Sequence, residues 1–148
     1  MRSRTNLDYW NAINTSIFAV NSSRNAGAQA QLETVENAID QLQRIPTRNV
    51  DGELISLQKS TVNLFSSVRA YLAQNPGADV MPDPTDAPGY LHNDERALIE
   101  QGIRTRLVLT SRYRLEFPPV FDRRQQFRTQ PEYLTRLPAG YRDPRISR

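Results

Sequence analysis

The chain of 148 residues carries 18 Arg, one Lys, 16 acidic residues, one His and no Cys, for a formal charge of +3. Without cysteine it forms no disulfide, zinc–thiolate site or iron–sulfur cluster, and His92 alone cannot build a multi-histidine metal site or readily serve a histidine-based triad. Leu, Ile, Val and Phe total 35 residues, which supports a thin core beneath a largely polar surface.

A first helix is expected from Thr5 or Asn6, either of which suits an N-cap, with Asp8 near its positive end. Leu7, Trp10, Ile13, Ile17 and Val20 then recur at three- and four-residue steps. Asn14 and Asn21 fall near that stripe and point to a partly exposed helix, or to a polar device that sets register. Residues 21–27 have no apolar anchor and read as a turn or as a weak stretch inside one long helix. Helical spacing resumes at Leu32, Val35, Ile39 and Leu42, and Ile45-Pro46 ends it.

Asp51 is a natural cap for the next helix, whose stripe is Leu54, Leu57, Val62, Phe65, Val68 and Leu72. Asn75-Pro76-Gly77 stops it. The short connection between these two helices favours an antiparallel hairpin, so residues 1–74 read as a helical hairpin or small bundle. Residues 75–92 read as an acidic, Pro-rich linker containing Asp79, Asp83 and Asp86.

Residues 93–117 carry two patterns at once. Leu98, Ile99, Ile103, Leu107 and Thr110 fit a helix, while Ile103 to Phe117 also alternate apolar and polar, as in a strand. A strand needs a partner and the chain offers no second such run, so a helix is expected, with a strand at a subunit interface as the alternative. Residues 118–148 hold five Pro, seven Arg and four aromatic rings without a sustained period, and read as an extended Arg-aromatic arm. The expected fold class is mainly α.

Charge is distributed unevenly. The chain up to Glu95 sums to −4 and the remainder to +7. Candidate partner-binding residues therefore gather late in the chain: Arg104, Arg106, Arg112 and Arg114, then Phe121, Arg123, Arg124, Phe127, Arg128, Tyr133, Arg136, Tyr141 and Arg142. Guanidinium groups pair with carboxylates or phosphates, and rings can dock on protein or stack on bases. A protein partner or a second copy of the chain is the leading expectation, with nucleic acid as the alternative. No RRM, KH or zinc-finger signature accompanies the arm.

Catalysis has little to stand on. Glu33, Glu36 and Asp40 share a helix face, but paired carboxylates do acid–base work only where burial separates their pKa values. No phosphate-binding glycine loop or nucleophile elbow is present. The sequence thus points to a non-catalytic structural or interaction protein that uses no cofactor and no metal. The longest uncharged stretch, Tyr9–Ser23, is too short and too polar to span a bilayer. Secretion is not supported, and a cytoplasmic location or a place within a larger assembly is favoured.

Overall fold

The computed structural model describes residues 2–23, 26–75, 89–120 and 137–144. Among them are four helices and no strand: α1 (Arg2–Ser22), α2 (Ala28–Arg44), α3 (Gly52–Gln74) and α4 (Gly89–Tyr113). Helix α3 packs on each of the other three, and α1 lies against α2 and α3. None of the helices is long and apolar enough to cross a membrane.

Helix α1 begins at Arg2, so Thr5 and Asn6 lie inside it rather than at its cap. Asn6 is drawn into the interior instead, accepting the Asp51 N–H at 2.9 Å. The middle of the helix is more deeply covered than its asparagines suggest. Leu7, Tyr9, Trp10, Asn11, Ala12, Ile13, Asn14, Thr15 and Ser16 are all buried, which places every face of the middle of α1 within the protein, while Arg2, Arg4 and Ser22 at its ends are exposed. A helix covered on all sides is usually apolar throughout. Here small and amide side chains take many of those places, and Asn14 satisfies its amide by donating to the Trp10 carbonyl at 3.1 Å.

Gly27, with φ at +96°, separates α1 from α2, so the helix is broken between residues 22 and 28. Helices α2 and α3 form the hairpin. Gln58, two turns into α3, reaches back to donate to the Leu42 carbonyl near the end of α2 at 3.0 Å. That bond also satisfies one of the unpaired carbonyls at a helix C-terminus. In the connecting turn Asn49 adopts φ of 62°, a conformation that Asn tolerates better than most residues.

Asp51 stands at the N-cap position of α3, as its sequence position suggests, but its carboxylate makes no capping bond. Its backbone carbonyl instead accepts from the N–H groups of Leu54 and Ile55. Thr61, buried in mid-helix, returns its hydroxyl to the Leu57 carbonyl at 2.8 Å.

Helix α4 starts earlier and ends earlier than the expected 93–117, and residues 103–113 are helical rather than extended. Its buried seam is Leu98, Gly102, Thr105 and Leu109. That seam is rotated from the larger apolar residues Ile103, Leu107 and Val108, which face outward. Close approach explains the choice. A Cβ at Gly102 would meet the Val120 side chain at 3.3 Å, so the glycine is what lets the returning chain seat closely there.

Arg114 ends α4 in the left-handed region, with φ of 50°, and its N–H closes on the Thr110 carbonyl at 2.9 Å. The chain then runs back over α1. Phe117 is fully buried and meets Trp10 edge to face, with centroids 6.2 Å apart and an interplanar angle of 87°. The Trp10 indole N–H donates to the Pro118 carbonyl at 3.0 Å. Further along, the Tyr141 hydroxyl lies 2.7 Å from Ser16 Oγ. One core thus joins the hairpin, α4 and the end of the chain.

Candidate interaction site

Two regions concentrate polar or unpartnered groups: a cluster around Asp51 and the outer face of α4. The Asp51 side chain is only 5% exposed. It accepts from Arg2 Nε at 2.7 Å, from Arg112 Nη1 at 2.6 Å, and from the Tyr113 hydroxyl at 2.7 and 2.8 Å. Asn6 completes a closed circuit, donating to the Tyr113 oxygen at 3.0 Å while accepting from the Asp51 N–H. The start of α1, the turn before α3 and the end of α4 are joined at this one carboxylate.

Burial acts to raise the Asp51 pKa, but donors from Arg2, Tyr113, Arg112 and Asn6 outweigh it and hold the carboxyl well below its ordinary range. Arg112 extends the cluster with a two-pronged pair to Glu53, at 3.1 and 2.7 Å. Its hydrogen bonds to Glu53 and Asp51 raise the guanidinium pKa, and its donation lowers that of Glu53. The Tyr113 phenol is pushed up by burial and by the anionic Asp51. Every group in the circuit is thereby fixed in its ordinary charge state. A carboxylate engaged by three donor residues has little capacity left for a substrate, so the chemistry of this cluster is that of a clasp.

The sequence-derived residues divide between inside and outside. Arg106 donates to the Phe117 carbonyl at 2.7 Å and lies 3.7 Å from Glu116, while Arg112 is committed to Asp51 and Glu53. Tyr141 faces Ser16 of its own chain. The backbone N–H of Arg142 donates to Gln41 Oε1 at 3.3 Å, leaving that residue exposed. Arg104 and Arg114 are exposed on or just beyond α4. Phe121, Arg123, Arg124, Phe127, Arg128, Tyr133 and Arg136 lie outside the described residues.

Sequence reasoning missed the exposed apolar face. Ile103 is 48%, Leu107 63% and Val108 40% exposed, all within six residues of α4. Ile103 and Leu107 belonged to the expected core stripe. The small residues Gly102 and Thr105 were the available signal for a different seam. The catalytic candidates fare otherwise: Asp40 pairs with Arg44 at 3.2 Å with both side chains at least half exposed, and Glu36 is exposed. Among the described residues, no group of three or more His, Cys, Asp or Glu is arranged to hold a metal ion. An apolar cavity of about 50 Å³ lies between α1, α3 and α4, bordered by Trp10, Ile13, Phe65 and Leu98.

No protein-family model, no curated protein and no solved structure matches this chain.

Proposed function

We propose that this chain is a non-catalytic structural or interaction protein that assembles through the outer face of α4. The observation that carries the reading is the exposure of Ile103, Leu107 and Val108 on one helix, while the smaller Gly102 and Thr105 beside them are buried. Single exposed apolar residues are ordinary on protein surfaces, but a contiguous group of them marks a contact face. Burying them would return roughly 25 cal/mol per Å² of apolar surface removed from water.

The polar chemistry supports the same reading. Among the described residues the most strongly perturbed carboxylate, Asp51, is consumed in holding three parts of the fold together. Its stiffening of the end of α4 gives the exposed stripe a fixed shape to present.

The test is the mass of the native assembly. Native mass spectrometry of the full chain should give a complex heavier than the 17.0 kDa monomer. Leu107→Glu should abolish that complex while leaving the helical content unchanged. A chain that is monomeric at high concentration, joins no protein complex and is indifferent to Leu107→Glu overturns the reading.

A further inference from the structure

The outer seam of α4 reads Glu100, Ile103, Leu107 and, just past its end, Arg114. Steps of three and four residues keep Glu100, Ile103 and Leu107 close to one line along the helix, and Arg114, in its left-handed conformation, follows just beyond the end. We propose that this seam pairs with the same seam of a second copy of the chain, antiparallel, about a two-fold axis beside Leu107. The proposal rests on the reading of α4 as an assembly face and adds the occupant and the register.

Charge complementarity selects the second copy and its direction. Glu100 lies seven residues before Leu107 and Arg114 seven residues after it. Antiparallel pairing centred on Leu107 therefore brings Glu100 of each copy level with Arg114 of the other, about 10 Å on either side of the axis. Parallel pairing would place Glu100 against Glu100 and Arg114 against Arg114. Both residues are exposed, and neither forms an ion pair in the described chain. Arg106 and Arg112 are spent on Phe117, Glu116, Asp51 and Glu53, which leaves Arg114 as the cation at this end of the seam.

The same register puts the most exposed apolar side chain at the centre of the contact. Leu107, the most exposed of them, meets its own copy at the axis, and Ile103 stands one turn away on each side, over Ser111 of the other copy. A two-fold contact of this kind is self-complementary and closes at two chains.

Light scattering on the full chain should give twice the 17.0 kDa monomer mass. Glu100→Arg and Arg114→Glu, each alone, should lower the dimer fraction at least tenfold at fixed concentration, because each places like charges opposite one another. The double variant should recover the dimer. Mixing the two single variants should also restore it, as a heterodimer with oppositely charged contacts. Glu100 and Leu107 are solvent-facing and Arg114 follows the helix, and circular dichroism serves as the folding control.

Assembly abolished by Leu107→Glu but indifferent to both charge reversals overturns the register and leaves the broader reading intact. A monomer at high concentration overturns self-pairing. Native mass spectrometry then separates the two claims: a complex with other proteins that Leu107→Glu abolishes preserves the broader reading, and its absence rejects both.

Discussion

The Tyr113 hydroxyl lies 2.7 and 2.8 Å from the two carboxylate oxygens of Asp51, joining the last residue of α4 to the residue that precedes α3. Sixty-two positions separate the pair. Arg112 and Arg2 reach the same carboxylate, so its charge adds a polar tie between three chain segments that the core also joins.

Asp51→Asn should cost about 1.5–3 kcal/mol at neutral pH, the usual range for hydrogen bonds to a charged group. The pH dependence follows from the sign of the shift. The folded carboxyl has a lowered pKa, so its stabilisation is complete above the unfolded value near ~4 and is lost as pH falls through the folded value. Urea unfolding between pH 7 and pH 2 should show a gap between wild type and Asp51→Asn that narrows below about pH 4. A gap that stays constant down to pH 2 contradicts the role of the charge.

Trp10 is the only tryptophan, so its fluorescence reports directly on the returning segment. Phe117→Ala removes the ring that stands edge-on to it and should cost about 3–5 kcal/mol. The emission should shift to the red as water reaches the indole. Unchanged emission would mean that the 117–118 contact is not what shields Trp10.

Gln31 is fully buried, and neither its Nε2 nor its Oε1 has a hydrogen-bond partner. Replacing it with Met fills similar volume without two unpaired polar atoms. The variant should gain about 1–3 kcal/mol, read as a rise in Tm of several degrees. A fall in Tm would indicate that the amide is satisfied in solution.

Arg114 holds a left-handed conformation that glycine adopts without strain. Arg114→Gly should therefore raise the thermal stability of the monomer by roughly 0.5–1 kcal/mol. The same change removes the cation proposed to face Glu100, so it should weaken the dimer. Opposite signs in calorimetry and in light scattering are the expected outcome.

The α2–α3 hairpin was legible because its signals are local: Leu32 to Leu42, Pro46, then Leu54 to Leu72 all lie on neighbouring turns. The Asp51 circuit was not, since Arg2, Asn6, Arg112 and Tyr113 meet there across 45 to 62 positions. Its sequence position was read correctly as an N-cap, yet tertiary donors claimed the carboxylate that a cap would have used. In α4 the error was one of weighting. Ile103 and Leu107 outweigh Gly102 and Thr105 in any hydrophobic pattern, whereas packing against Val120 rewards the glycine. The asparagines of α1 misled in the opposite direction, because amides suggest solvent and Asn14 is satisfied inside the fold.

The cover of α1 has a consequence for the order in which the protein can be completed. Its tryptophan waits for Pro118 and its Ser16 for Tyr141, 108 and 125 positions downstream. During synthesis the hairpin can close while α1 still lacks the cover that the end of the chain supplies. Contacts of such sequence separation are slow to form. The nascent chain therefore passes through an interval in which α1 exposes Trp10 and Phe117 has not yet been made, and that interval is where a chaperone would act or aggregation begin.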